Sequence, residues 1–518
     1  MRRIIGRVII VIPAVALQVM WYYLVLSTLN TVFHGHLGDL VNAVFTVLAI
    51  IFATSLVAKR DESSYKLLWV MVIMAAPVLG AFLYLMFGNK NTGARLKKKM
   101  EASRDRLAIG KKSGAGDGSD AISDGIEAIS KDNPRLAQTL GHIEESTGFP
   151  VLKNNRNTRY YPFGEYMFAD MCEDLRRAQD YIYVEYFIIQ SGKFWDTLTG
   201  IMAERAAAGV DVRVIYDDLG SIGTYSGADI RNLQKKGIKC IAFNPFFLIR
   251  SQLNNRDHRK IMVIDGRIAY SGGINLADEY INVVERFGRW KDIGFRITGE
   301  AALSYAYMFI EFWNAFAEDK ITVNRFEGAA GEAGGENDGY VLPYYDSPMR
   351  NEHTSNELFT EILSMATGYV WFYTPYLILG DTLYDAFLRA AKRGVDVRII
   401  MPGIPDKKMI FRLSRSYYED LLKAGVRIFE YTPGFVHAKA FVADGVVAGI
   451  GTVNLDYRSL FLHFECNAVF YKAGIIADLK KDFEDTQGEC REIGTEDLRK
   501  SLVYRFGNNV LRVVAPLL

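Results

Sequence analysis

The sequence predicts an α/β protein: N-terminal transmembrane helices, then two similar α/β sandwich halves with mixed sheets that face each other as a pseudo-dimer. Three observations carry this. The first ninety residues hold long apolar runs. The remainder alternates apolar strand patterns with amphipathic helical patterns. One pattern also occurs twice, as "HRKIMVIDGRIAYSGGIN" (258–275) and "HAKAFVADGVVAGIGTVN" (437–454). His258, Lys260, Asp265, Gly272 and Asn275 recur 179 residues later as His437, Lys439, Asp444, Gly451 and Asn454. Five such matches coincide by chance with a probability on the order of 10⁻⁶ per start, from average residue usage.

The elements follow in chain order. "VIIVIPAVALQVMWYYLVL" (8–26), "VNAVFTVLAIIFATSLVA" (41–58) and "LLWVMVIMAAPVLGAFLYLMF" (67–87) are apolar almost throughout. About twenty apolar residues cross the hydrocarbon core, so residues 1–90 are expected to form two to three membrane helices. Arg2, Arg3 and Arg7 precede the first run as in a signal peptide. No small-residue cleavage pattern closes that run, however, and Trp21, Tyr22 and Tyr23 read as an interfacial belt. Lys90, Arg95, Lys97, Lys98, Lys99, Arg104, Arg106, Lys111 and Lys112 follow the third run. The positive-inside rule puts this stretch in the cytoplasm. The expectation is therefore a multi-pass protein of the cell membrane with a cytoplasmic catalytic part. Either the N-terminal arginines then lie outside, or the first run lies in the membrane without crossing it. The basic stretch reads as a solvated helix, and it also suits contact with anionic lipid.

Residues 91–130 form a basic segment and linker, including "IGKKSGAGDGSDAISDG" (109–125), and "EGAAGEAGGENDG" (327–339) is a second linker. They bound a first half over 131–326 and a second over 340–518. The halves repeat beyond the motif. "AERAAAGVDVRVIYDD" (203–218) resembles "LRAAKRGVDVRIIMPG" (388–403), each a helix end, a Gly and an apolar strand. "KKGIKCIAF" matches "KAGVRIFEY", and "YIYVEYFII" and "YVWFYTPYLI" are aromatic strands upstream.

A net charge of +1 over 518 residues offers no global basic surface for nucleic acid. Cys172, Cys240, Cys466 and Cys490 form no C-x-x-C pair and are expected to be free thiols. No metal cluster is expected, and no cofactor is implied.

Asp265-Gly266 and Asp444-Gly445 signal two-residue hairpin turns. Such a turn sets His258 opposite Gly273, Lys260 opposite Ser271, and His437 opposite Thr452. His and Lys two apart share one strand face, and the Gly-Gly-x-Asn end returns beside them. An imidazole, an ammonium and an amide suit a phosphate: the cation and amide hold its oxygens, and the imidazole attacks phosphorus. The leaving alcohol then needs an acid, and the acceptor needs a base. Two copies of the motif in one active site supply both. Asp292, in "RWKDIGFRI", and Glu465, in "LHFECNAVF", are candidate carboxylates to orient the imidazoles. Asp265 and Asp444 sit in the motif as turn residues with functional consequence.

His-x-Lys-x₄-Asp-x₆-Gly-[Gly/Thr]-x-Asn, present twice, resembles the signature of the phospholipase D superfamily. With "WVMVIMAAPVLGAFLYLMFGNK", "VRVIYDDLGS" and "GGINLADEY", the chain resembles the bacterial cardiolipin synthases from about residue 40 onward. The resemblance implies two phospholipase D-like halves. It also implies that two phosphatidylglycerol molecules become cardiolipin and glycerol without metal, with anionic membrane lipids as partners. His258 would be the nucleophile and His437 the acid and base, an assignment the residues themselves leave open. Lys260, Lys439, Asn275 and Asn454 would hold the phosphate beside Gly273 and Thr452, and Asp292 and Glu465 would orient the imidazoles. A membrane-bound phospholipase D hydrolase, or a transferase to another alcohol, differs only in the acceptor. Intact motifs in both halves argue against a scaffold, and the near-neutral charge and apolar runs argue against a nuclease. That family usually has two membrane spans, so the extra first run departs from it. The wider superfamily often has Ser where Gly273 stands, and Gly at this place is common in the cardiolipin synthases.

Overall fold

The structure, a computed structural model, describes residues 36–59, 62–76, 80–81, 83–88, 96–105, 123–155, 157–245, 254–322, 337–350, 352–498 and 501–517. The first apolar run, its arginines and aromatic belt, and most of both linkers lie outside these residues. The chain divides into two compact units, Met1–Thr92 and Gly93–Leu518.

In the first unit the second apolar run coincides with helix His36–Val57. The third run is not one helix. Helix Ser63–Ala75 ends at Ala76, whose φ is −147°. Pro77 follows, and proline keeps its predecessor out of the helical region. A π-helical turn covers Tyr84–Gly88. Tyr84 packs edge-on against Phe52 and Trp69 at 5.5 and 5.4 Å. Among the described residues no helix is long and apolar enough to cross a membrane.

The second unit begins with a helix over 96–105. Met100 and Ser103 in it are buried, and Arg104 pairs with Glu311 at 3.2 Å. This part of the basic stretch is thus docked on protein and not wholly solvated. The strands then run β1 (Leu152–Asn155), β2 (Arg159–Tyr161), β3 (Tyr181–Tyr186), β4 (Asp211–Asp217), β5 (Lys239–Phe243), β6 (Lys260–Ile264), β7 (Ile268–Gly272), β8 (Arg289–Lys291) and β9 (Gly294–Thr298). After the second linker come β10 (Asn337–Asp346), β11 (Tyr369–Tyr373), β12 (Asp396–Pro402), β13 (Arg427–Tyr431), β14 (Gly434–Val436), β15 (Ala440–Ala443), β16 (Val447–Gly451), β17 (Glu465–Tyr471) and β18 (Cys490–Ile493).

One sheet has the order β2-β9-β7-β6-β3-β4-β5, and the other contains β10-β17-β16-β15-β11-β12-β13 with β1 and β18 added at its edges. The two orders correspond strand for strand. Both sheets are mixed: β3, β4 and β5 are parallel, as are β11, β12 and β13, and the rest is antiparallel. Two details differ from the sequence reading. Strand β1 belongs to the second sheet, pairing with β10, although it precedes the first half's other strands. Each motif hairpin is also slipped by one residue. Ile261, not Lys260, faces Ser271, and Ala440 faces Ile450, which puts Thr452 out of line with His437.

The turn residues explain the slip. Asp265 and Gly266 take φ of 53° and 66°, and Asp444 and Gly445 take 52° and 69°, as the Asp-Gly signal requires. The next residue, Arg267 or Val446, closes the turn with its N–H and stays outside the ladder. Its carbonyl accepts from the neighbouring strand's exit instead, Gly299 N–H at 3.1 Å or Lys472 N–H at 2.8 Å. One extra residue in a hairpin shifts every cross-strand partner.

Helices cover both faces of each sheet. Helix Glu300–Phe316 packs on the first sheet, stacking Phe309 on Tyr183 at 4.6 Å, and Ser103 and Arg104 dock on its Glu311. Helix Ile475–Gly488 does the same for the second sheet, with Phe483 on Tyr373 at 3.8 Å. Its Asp482 reaches back to Tyr160 and Lys291 of the first half. The halves therefore share one core, closed by Phe295 against Phe470 and Ser271 against Cys466. The four cysteines are free thiols.

Candidate active site

Each motif histidine ends a short segment that pairs with a strand borrowed from the other half. Asn255 N–H donates to Leu462 O at 2.8 Å, Phe464 N–H to Arg256 O at 2.9 Å, and His258 N–H to Phe464 O at 2.9 Å. On the related side β14 lies parallel to β8, and His437 N–H donates to Lys291 O at 2.7 Å. The residue after each borrowed strand is a carboxylate. His258 Nδ1 lies 2.9 and 2.8 Å from the two Glu465 oxygens, and His437 Nδ1 lies 2.6 Å from Asp292 Oδ2. Spacing along the chain suggested both carboxylates. The structure pairs each with the histidine of the opposite half. A carboxylate at Nδ1 holds the proton there and leaves Nε2 with its lone pair.

The lysines join the same place. Lys260 Nζ donates to His258 O at 2.5 Å, and Lys439 Nζ donates to His437 O. Burial, then the ammoniums of Lys260 and Lys439, push the His258 imidazole well below its ordinary range. Burial and Lys439 push His437 down to about 4, against the opposing pull of Asp292. Burial pushes Lys260 down to about 8, opposed by Glu465, and Lys439 to about 7, opposed by Asp292. Each imidazole feels both lysines, so the two half-sites form one. Burial pushes the Glu465 carboxyl well above its ordinary range, opposed by Lys260, so two neutral imidazoles beside two ammoniums make a site that gains from an arriving anion.

The small positions next to the imidazoles are not equivalent. Thr452 donates its hydroxyl to Glu465 Oε2 at 2.5 Å. At Gly273 a Cβ would lie 2.0 Å from Asp292 Oδ1, so only glycine leaves room for that carboxylate. Asn275 accepts from Ile188 N–H at 3.1 Å and donates to Tyr280 Oη at 2.8 Å. Asn454 donates to Asp456 at 2.9 Å. Each amide keeps one further N–H beyond these bonds.

Asp265 and Asp444 lie at the far end of the motif strands, outside the site. The Asp265 carboxylate accepts the N–H groups of Gln179, Asp180 and Tyr181 at 2.9, 2.8 and 2.9 Å. Asp444 accepts those of Thr367, Gly368 and Tyr369 at 2.8, 2.9 and 2.7 Å. Burial opposes its charge, yet these donors together hold Asp444 below the usual carboxylate range. Both clamp the start of the neighbouring strand. Their place in the motif beside His and Lys suggests a part in the chemistry, and the geometry corrects that to a structural clamp.

Sequence reasoning missed several neighbours. His463 lies with its ring 6.2 Å from His258, and Trp290 lies 5.6 Å from His437. They occupy matching places, two residues before Glu465 and Asp292, so the alignment of "LHFE" with "RWKD" held the signal. His463 Nδ1 is buried without a hydrogen-bond partner. Tyr280 meets His437 edge-on at 5.4 Å, and Phe187 meets His258 at 5.0 Å. Behind His258, Arg259 pairs with Glu185 and Asp257 in complete burial, and Asp257 N–H donates to Asp217 at 2.9 Å.

Comparison with known proteins agrees with this geometry. The family described as "Cardiolipin synthase, PLD-like domain" matches residues 171–286 and 359–486. One described as "Phospholipase_D-nuclease N-terminal" matches 44–89. The chain is 32% identical to cardiolipin synthase 2 of Bacillus anthracis over 92% of this chain and 91% of that protein. It is 30% identical to a cardiolipin synthase of Halalkalibacterium halodurans over 97% and 99%. An uncharacterized protein of Streptococcus mutans is 39% identical over 89% of this chain and 98% of its own length. The fold is similar to phosphatidylserine synthase of Haemophilus influenzae, with a TM-score of 0.56, 15% identity, and coverage of 74% of this chain and 100% of that one. Two motif-bearing halves that exchange carboxylates across one site, and relatives matched along nearly their whole length, place this chain in the cardiolipin synthase family of the phospholipase D superfamily.

Proposed function

We propose that this chain transfers a phosphatidyl group from one phosphatidylglycerol to a hydroxyl of a second, giving cardiolipin and glycerol through a phosphatidyl-histidine. The observation that carries the reading is the crossed pairing of His258 with Glu465 and His437 with Asp292, in reach of both lysines. His258 Nε2 attacks phosphorus, and the P–O bond to the headgroup glycerol breaks. His437, protonated at Nε2 when the phosphate binds, gives the departing oxygen that proton, and glycerol leaves. His437, now neutral, takes the proton from a hydroxyl of the second phosphatidylglycerol, whose oxygen attacks phosphorus. The P–N bond breaks and His258 is restored.

Electrostatics support this division of labour. Burial, then the ammoniums of Lys260 and Lys439, disfavour a proton on His258, and that suits a nucleophile. His437 has Asp292 pulling the other way, and an arriving phosphate offsets the lysines that hold it down. It therefore takes up a proton more readily, as an acid requires. Lys260, Lys439 and the spare N–H groups of Asn275 and Asn454 hold the phosphoryl oxygens. The histidines are only 8% and 7% exposed, which limits hydrolysis of the intermediate by water.

Residues 1–90 would anchor the enzyme in the cell membrane, with 131–326 and 340–518 as the halves of a cytoplasmic catalytic unit. The match of 44–89 to an N-terminal family and the basic stretch that follows support this. The test uses purified full-length protein with phosphatidylglycerol as the only lipid and a chelator present. Cardiolipin and glycerol in equal amounts are expected. Phosphatidic acid as the main product would mean that water is the acceptor.

A further inference from the structure

The C-terminal helix Leu502–Val514 is docked the wrong way round for a helix in a water-soluble protein. Its inward side holds polar contacts. Arg412 donates to Asn508 Oδ1 at 3.0 Å and to Tyr504 O at 3.3 Å, and its guanidinium lies 4.4 Å from the Tyr504 ring. Arg512 donates to Ser416 O at 2.7 Å and covers the Tyr417 ring at 4.4 Å. A Cβ on Gly507 would strike Arg412, so glycine permits this close approach. The outward side carries Leu502, Val503, Phe506 and Val510, which are 82%, 82%, 70% and 49% exposed. Residues 502, 506 and 510 lie four apart and form one stripe. Burying such side chains is favourable, so a stripe left in water signals an apolar partner.

The surroundings identify that partner. Helix Lys408–Ser416, on which the C-terminal helix lies, exposes Met409 at 52%, and Ile404 before it is 40% exposed. Lys407, Lys408 and Arg505 flank these residues; Lys407 lies 3.7 Å from Asp406 and Arg505 lies 3.7 Å from Glu419, and Lys408 adds a further positive charge. Apolar side chains rimmed by cations suit an anionic bilayer surface. The patch also leads to the reaction. Ile404 N–H donates to Gly434 O at 3.1 Å, three residues before His437. Val283 and Val284, 47% and 50% exposed, follow the turn that holds Tyr280 against His437.

We propose that the outward face of Leu502–Val514, with Met409 and Ile404, is a membrane-contact surface that seats the His437 side of the site on an anionic bilayer. This rests on the reading that the substrate is a lipid, and it adds a second point of membrane contact far along the chain from residues 1–90.

The test places one cysteine at 502, 506 or 510 of the full chain, labels it with bimane, and reconstitutes the protein in phosphatidylglycerol–phosphatidylcholine vesicles. Lys131→Cys, at a side chain 71% exposed, is the aqueous control. Lipid-borne nitroxide is expected to quench all three stripe positions at least twofold more than position 131, and iodide the reverse. Quenching by iodide alone would overturn the proposal. So would protection from both quenchers, which would mean a second copy or another part of the chain covers the face. A triple variant, Leu502→Ser, Phe506→Ser and Val510→Ser, leaves the docked side intact. Its ratio of turnover on vesicles to turnover on short-chain phosphatidylglycerol in detergent should fall about tenfold, and an unchanged ratio would also contradict the surface. If the wild-type enzyme turned over neither substrate, the proposed function would fail, while the quenching result would stand by itself.

Discussion

The two half-sites share one backbone plan and differ in what surrounds each imidazole. His258 is held by a glutamate that also takes the Thr452 hydroxyl, beside His463, in a strand fixed by Asp257 and Arg259. His437 is held by an aspartate that needs Gly273 for space, beside Trp290, in the apolar strand Phe435-Val436. A fixed, well-bonded imidazole suits the group that forms a bond to phosphorus. An imidazole in an aromatic cage with a single carboxylate contact suits one that changes its proton. The duplication thus supplied two equal parts, and the residues around them made the parts unequal.

Removing either imidazole of that pair should have the largest effect. His258→Ala and His437→Ala are each expected to lower turnover by about 10⁴-fold or more, and the double variant little further, because groups that act as a unit are not additive. Steady-state cardiolipin formation measures this. Near-normal turnover in either variant would mean the halves work separately.

The carboxylates come next. Glu465→Gln and Asp292→Asn should each cost on the order of 10²-fold, as loss of an imidazole's hydrogen-bonded orienter does. Because the pairing is crossed, Glu465→Gln should add little to His258→Ala, and Asp292→Asn little to His437→Ala. Coupling within a half instead would break the crossed arrangement.

The small residues sharpen the comparison. Gly273→Ser should displace Asp292 and weaken turnover about tenfold or more, since a Cβ there would overlap its oxygen. Thr452→Ala removes one hydroxyl and leaves the Glu465–His258 contact, so a loss of about tenfold is expected from one charged hydrogen bond.

Dependence on pH separates binding from chemistry. A lysine with a depressed pKa is charged below that pKa and neutral above it. As pH rises through about 7, Lys439 loses its proton, followed by Lys260 near 8, so kcat/KM should fall across this window. Bound phosphate favours the charged lysines, so kcat should fall later. Lys439→Arg should remove the first step, because guanidinium stays charged.

The smallest effect on chemistry belongs to Asp265 and Asp444. Either one changed to Ala should lower Tm, through about 1–2 kcal/mol of lost hydrogen bonding to three N–H groups, two of them exposed. The folded fraction should keep its activity.

Much of this was legible in the sequence. The repeat exposed two halves with mixed sheets, and the motif pointed to both histidines, both lysines and both carboxylates. The crossed pairing was not legible, because spacing along one half says nothing of which half's strand lies beside it. The one-residue slip was hidden because Asp-Gly fixes the turn's φ values and not where Arg267 and Val446 send their carbonyls. Asp265 and Asp444 match the motif as strongly as the histidines, yet strands of five and four residues carry them away from the site. The third apolar run read as continuous because hydropathy does not register Pro77.

The most direct test of the account is to find the covalent bond it requires. Full-length enzyme is mixed for a single turnover with phosphatidylglycerol labelled at phosphorus, denatured at alkaline pH, digested, and the modified residue mapped. The account predicts label on His258 alone, none in His258→Ala, and release of one glycerol for each labelled chain. Label on His437, or cardiolipin formed with no labelled histidine at any time, would contradict it.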